Sequence, residues 1–242
     1  MVARAGGDLF LEPLRLFFPV KDYISYSLFG SDMKHGIGAI RNAVFAEQYF
    51  PGWISRFYLG PDVPGAIIEN LNLIPDAELV RWEDGPGHLC ANLRFMNLFC
   101  NDDREARYVL YRNCDARLGG RERDAVNQWL ATGKSYHAMR DHESHDAMLV
   151  PGLWGGRARI FGMEDQIRKH TRIVNSNLAG IHDTLAHFLA TRIWPMVRSS
   201  CHFIDSDETR RRTFGGMDFP TARDGDRYVG QRFDENETPL TP

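Results

Sequence analysis

The stretch 108–141, "YVLYRNCDARLGGRERDAVNQWLATGKSYHAMRD", decides the fold. An apolar, β-prone run at Tyr108–Tyr111 stops in Arg112, Asn113, Cys114, Asp115, Ala116 and Arg117. Ala125, Val126, Trp129 and Leu130 then recur at i, i+1, i+4 and i+5. That spacing predicts an amphipathic helix over 120–133, with Gly133 suited to end it in the left-handed conformation. A second β-prone run, 135–141, stops in Arg140 and Asp141, with His142 next. Strand, helix and strand follow one another, and both strands finish on an arginine and an acid.

The alternation continues outward. Strands are predicted at 22–30, 53–60, 77–82 and 106–113, with helices at 33–50, 63–72 and 89–100 between them. Pro51 stops the first helix, and its early glycines point to a tight loop or a close backbone approach. Beyond 141, a strand is predicted at 147–152 and late helices at 163–174 and 180–195, the last stopped by Pro195. A short strand is predicted around Tyr228–Gln231. Such alternation implies an α/β fold with a largely parallel sheet. No repeat or linker divides the chain, so 1–242 reads as one domain with a loose lead-in at 1–15 and a loose tail at 236–242. In such sheets ligands bind beyond the carboxyl ends of the strands. Asn113–Arg117 and Arg140–His142 both lie there, facing one crevice.

Composition narrows the function. The 242 residues are 43% hydrophobic and carry a net charge of −3, which suits a folded globular protein and does not suggest a nucleic-acid binder. The exception is the local basic run Arg210–Arg212. Cys90, Cys100, Cys114 and Cys201 form no CxxC pair and read as reduced core thiols. No apolar run approaches the ~20 residues of a membrane span, and the charged, proline-containing start is a poor signal peptide. A soluble, cytoplasmic protein is expected.

Asp115 between Arg112 and Arg117 reads in two ways. An isolated strand-end Asp often forms a turn or caps a helix. It also suits a divalent cation carried by a phosphorylated ligand, with the arginines neutralising a diphosphate. His137, His142 and His145 lack the spacing of a zinc protease helix, leaving a solvated turn or a site loop in which Asp141 or a histidine is the acid–base group. "PGLWGGRAR" (151–159) is either a turn or a loop offering Trp154 as a platform. His202 and Asp205 read as surface residues or ligands, and Arg41 and Asn42 as the solvated side of a helix or as ligand contacts. Phosphate-loop, GxSxG and kinase motifs are absent from the sequence.

The block from Tyr111 to Arg157 resembles the central motif set of a group of GT-A-type glycosyltransferase-like proteins. That set is a strand ending Arg-Asp-x-Asp-Ser-Arg, a Trp-Leu helix, a His-x-Met-Arg-Asp-His strand end and a Gly-Gly-x-Trp-Gly loop. "KHGIGAIRNAVFAEQYFPGW" and "FPTARDGDRYVGQRFDEN" resemble flanking parts of the same group. The resemblance implies a Rossmann-like GT-A α/β/α sandwich and a nucleotide-diphosphate sugar donor. It also implies Mn²⁺ or Mg²⁺ assistance and an acceptor that is a glycan or other hydroxyl-bearing molecule. Asp115 matches the metal-binding acid of the DxD motif, with His202 or Asp205 as a further metal contact. Arg41, Asn42, Arg112, Asn113 and Arg117 fall near the nucleotide. Asp141 would be the catalytic base, and His142, Trp154 and Gly155 would meet the acceptor. Asn113 and Ala116 replace the Asp and Ser of the motif, and Leu185 and Ala186 replace a late Asp-Gln pair. These departures imply weakened metal binding, with a catalytically inactive binding protein as the alternative. A transferase acting on modified nucleic acid is a third reading, suggested by Arg210–Arg212.

Overall fold

The computed structural model describes residues 20–81, 105–158, 160, 165–166 and 181–241. The helix expected at 89–100 lies outside the described residues, as does all but 165–166 of the one expected at 163–174.

Alternation of buried side chains explains the sheet. In β1 (Lys21–Leu28), Tyr23 packs on one face and Ile24, Tyr26 and Leu28 on the other. In β4 (Ala106–Tyr111), Val109 and Tyr111 point one way and Leu110 the opposite way. Both faces are apolar because both are covered, as expected for a parallel sheet. The remaining strands are β2 (Trp53–Leu59), β3 (Ala77–Arg81), β5 (Tyr136–Arg140), β6 (Trp154–Arg157) and β7 (Cys201–Asp205). Their order is β3-β2-β1-β4-β6-β5-β7. Neighbours are parallel except that β6 runs antiparallel between β4 and β5.

Helices α1 (Met33–Tyr49), α2 (Gly65–Asn72) and α3 (Gly120–Ala131) share one apolar cluster with one sheet face. The other face packs against α4 (Ile181–Phe188), a π-helical turn at Leu189–Ile193 and α5 (Trp194–Val197). The result is the expected Rossmann-like α/β/α sandwich with a mostly parallel central sheet. Helix α6 (Glu208–Phe214) follows β7 and starts on the Asp207 side chain, which accepts from the Arg210 N–H.

Chain order reverses between β1 and β4. The strands before this point run outward to β3, and those after it run the other way. The crevice beyond the carboxyl ends of β1 and β4 is therefore the topological switch point where ligands bind in such sheets. Helix α1 begins there, with Asp32 accepting the Lys34 N–H at 3.1 Å.

Five expectations change. Residues 147–152 form turns, and the strand lies later, at β6. "CHFID" is a fully buried strand, β7, although its flanking Ser and Asp residues make it read as polar. Pro195 does not stop the late helix. The chain widens into the π turn just before it and continues through α5, which accommodates the missing proline N–H. Residues 228–231 form a turn instead of a strand, and the tail beyond is tied down. Phe233 bridges to Pro239, and the Leu240 N–H donates to the Arg232 carbonyl at 2.8 Å.

Helix α1 reaches the β4–α3 loop through Gly38. A Cβ there would lie 2.1 Å from the Cys114 carbonyl oxygen, a backbone atom that cannot step aside. Gly38→Ala is expected to lower unfolding free energy by about 1–3 kcal/mol. Gly65→Ala, at an open position, should change it by less than about 1 kcal/mol. Urea denaturation of the two variants checks this.

Candidate functional site

The loop after β4 is held by Asn42. Its Nδ2 donates to the carbonyls of Cys114 (3.2 Å) and Ala116 (2.7 Å), and its Oδ1 accepts the Leu118 N–H at 3.1 Å. Asn42 is buried and braces the loop. Arg112 is buried too. It pairs with Glu122 and donates to the carbonyls of Tyr111 and Trp154 at 2.8 and 2.9 Å. Burial raises the Glu122 pKa, and the Arg112 charge opposes that rise. Arg112 thus joins β4, β6 and α3 inside the core. Arg117 donates to both carboxylate oxygens of Glu237, at 3.1 and 3.0 Å, and exposed Arg41 lies 3.8 Å from the same group.

A C-terminal strap, residues 216–241, crosses the carboxyl ends of the strands. Asp115 is buried, and Arg232 donates to its Oδ2 from Nε at 2.6 Å. The Phe233 N–H donates to the Asp115 carbonyl at 2.9 Å, and Arg232 bridges to Ala116. Asp141, at the end of β5, is fully buried. Arg121 donates to both its oxygens at 2.9 Å, Arg223 to Oδ1 at 3.2 Å, and the Val229 N–H to Oδ2 at 2.9 Å. Val229 and Arg232 are three residues apart, so at most about 11 Å of chain separates these anchor points. One strap thus meets both strand-end acids.

Burial pushes the Asp141 pKa up, but the Arg121 hydrogen bonds, the Val229 N–H and the two arginine charges outweigh it. The carboxyl is held below its ordinary value. A base with depressed basicity and its lone pairs occupied is poorly suited to take an acceptor proton. Next to it, His145 Nδ1 accepts the Asp141 N–H at 3.0 Å. Burial foremost, and then the His142 charge, lower the His145 pKa to about 4. His142 stacks on Tyr228 with ring centroids 4.3 Å apart. His137 is wholly buried against Trp129, and burial pushes its pKa well down. His142 and His145 thus lie side by side, ring centroids 6.0 Å apart, while His137 packs on Trp129 instead.

Trp154 is completely buried, 4.4 Å from the Tyr111 ring, because β6 inserts it between β4 and β5. It is a core residue in place of the expected acceptor platform. Gly155 is also structural, since a Cβ there would lie 2.5 Å from the Val109 carbonyl oxygen. Asn113 donates to the Pro151 carbonyl at 3.3 Å and packs against Gly152.

The expected metal set does not converge. About 14 Å of sheet, three strand spacings, separates β4 from β7. His202 faces Gln128 of α3, its Nε2 3.4 Å from Oε1. Asp205 is fully buried and pairs with Arg140 at 2.7 Å and Arg210 at 3.0 Å. Among the described residues, no group of three or more His, Cys, Asp or Glu is arranged to hold a metal ion. Asp115, with neutral Asn113 beside it and Arg232 on it, does not fit a divalent-cation site. The basic run is similarly engaged. Arg210 binds Asp205, Arg211 lies 3.3 Å from Asp218, and Arg212 pairs with Glu208. Among the described residues no helix is long and apolar enough to cross a membrane, and Cys114 and Cys201 are buried free thiols.

Two clefts flank the strap. One, of about 360 Å³, lies between α1, the start of α3 and the strap, and includes Tyr49, Arg121, Tyr228 and Phe233. The other, of about 220 Å³, includes Asn113, Ser144, His145, Gly152, Tyr228 and Arg232. Sequence reading misses Arg121, Arg223, Tyr228, Arg232 and Glu237. Only the resemblance of 219–236 to a family segment signals that this tail matters.

No family model and no curated protein matches the sequence. The fold is similar to that of a glycosyltransferase involved in the glycosylation of the major capsid of PBCV-1. The TM-score is 0.44 and the identity 9%, over 77% of this chain and 82% of that one. It is also similar to core-mannan synthase A from Aspergillus fumigatus in its Mn/GDP form (TM-score 0.41, 8% identity, 76% and 72% covered). A third similar structure is the mannosyltransferase Ktr4p from S. cerevisiae in complex with GDP (TM-score 0.42, 11% identity, 91% and 78% covered).

The buried histidine makes stability depend on pH. His145 binds a proton near pH 6.5 when unfolded and only near pH 4 when folded. The unfolded state holds more protons between these values, so stability falls as pH drops from 6.5 towards 4. His145→Asn keeps an acceptor for the Asp141 N–H. It should reduce the loss of unfolding free energy between pH 7 and 5 by about 2 kcal/mol, measured by urea midpoints. Asp141 acts at lower pH: its contribution is present above its ordinary value of 3.8 and is lost as pH falls below it.

Proposed function

We propose that this chain is a glycosyltransferase that takes a nucleotide-diphosphate sugar at the switch point between β1 and β4. It transfers the sugar to a hydroxyl of a glycan or similar acceptor. The observation that carries the reading is the joint placement of Asp115 beyond β4 and Asp141 beyond β5, two positions apart in the sheet, under one strap and beside two clefts. These are also the positions that match the acids of the motif set. The start of α1 adds the partly buried His35 near Asp115. Burial lowers the His35 pKa and the nearby Asp115 opposes this.

In this reading Asp141 positions the strap through Val229 and Arg223. It becomes a base only when Arg121 or Arg223 withdraws. The residues give no support to Mn²⁺ or Mg²⁺ held by Asp115, His202 and Asp205, and no step is assigned to an ion. Saturation of Asp141 favours a second reading, a domain that binds donor without turnover.

A panel of nucleotide-diphosphate sugars, followed by calorimetry and by release of nucleoside diphosphate, separates the readings. Binding with slow hydrolysis that falls at least about ten-fold in Asp141→Asn supports the transferase. Binding with no release, unchanged by Asp141→Asn, supports the second reading. Absence of binding by every donor rejects both.

A further inference from the structure

We infer that Arg232 of the strap is the cation that neutralises the donor diphosphate, and that Asp115 is its positioning residue in place of a metal ligand. This rests on the proposed donor site. Mg²⁺ and Mn²⁺ are generally held by one or two carboxylates together with phosphate and water oxygens. Here the single carboxylate is buried and its Oδ2 is committed to Arg232 Nε at 2.6 Å. The residue two positions earlier is Asn113, which brings no charge.

Arg232 has the opposite properties. Its side chain is 51% exposed although its partner is 3% exposed, and it lines the smaller cleft with Asn113, Ser144 and Tyr228. Asp115 takes the Nε–H, while the terminal nitrogens make no hydrogen bond among the described residues. A guanidinium offers five donors in a planar fork, so the remaining edge suits bidentate contact with phosphate oxygens. The backbone is fixed on both sides of it. Arg232 bridges to Ala116, the Phe233 N–H binds the Asp115 carbonyl, and the Arg232 carbonyl accepts the Leu240 N–H at 2.8 Å. The cation is thus preorganised beside Asp115 beyond the end of β4, which lowers the entropic cost of ordering it on a ligand.

The test uses GDP, UDP and ADP as probes, with the matching monophosphates as controls. Calorimetry is run in EDTA and in Mn²⁺ on the parent chain and on Arg232→Ala, Arg232→Lys and Asp115→Asn. At least one diphosphate should bind with affinities in EDTA and Mn²⁺ that agree within about two-fold. Arg232→Ala should weaken it by at least about ten-fold and Arg232→Lys by less, because Lys keeps the charge and loses the fork. Asp115→Asn should weaken it and leave it insensitive to Mn²⁺. Monophosphate affinity should change by less than about three-fold in Arg232→Ala. An equal loss for monophosphate and diphosphate would reveal a merely structural role and overturn the inference. Binding that needs Mn²⁺ and survives Arg232→Ala overturns it while leaving the donor site standing. Failure of every diphosphate to bind the parent chain removes the donor site as well.

Discussion

A carboxylate buried at the end of a strand has to be neutralised, because an isolated charge in a low-dielectric interior is costly. Asp115, Asp141 and Asp205 all end up buried, beyond β4 and at the ends of β5 and β7. Each is met by arginine: Asp115 by Arg232, Asp141 by Arg121 and Arg223, and Asp205 by Arg140 and Arg210. The strap lies where it does because two of these arginines, and the Val229 N–H, come from it. The crevice, its clefts and its electrostatics follow from this one requirement.

The same requirement divides the arginines by role. Arg112 is spent on Glu122 inside the core and ties α3 to the sheet. Arg121 and Arg223 are spent on Asp141. Arg232 differs because its partner is buried while it remains half exposed. Buried ion pairs often stabilise a fold no better than apolar packing would. Asn42 and Gly38 work alongside them by holding the β4–α3 loop against α1. That sets where Asp115 sits relative to the first turn of that helix.

Much of the fold is legible in local pattern. The period of Tyr108–Tyr111 and the apolar stripe of Ala125, Val126 and Trp129 each report burial along one element, and one element is enough to create the signal. Strand β7 is less legible, since "CHFID" mixes His and Asp into a short run and its burial depends on β5 beside it and α5 above it. The site is legible in part. Asp115 and Asp141 stand out as charges at strand ends. Trp154 misleads, because a Trp among glycines looks like a loop platform until β6 is seen to run between β4 and β5. His202 and Asp205 mislead for a similar reason: three residues apart along a strand, they project to opposite faces.

The sequence by itself determined the alternation of strands and helices, the apolar faces and the acids at the strand ends. These follow from side-chain periodicity and from where polar residues interrupt it. Only the tertiary structure decided which partner each acid takes. Asp115 and Arg232 are 117 positions apart, and Asp141 and Arg223 are 82 apart. Pairing at that separation depends on how the strap crosses the sheet, and no local periodicity carries that information.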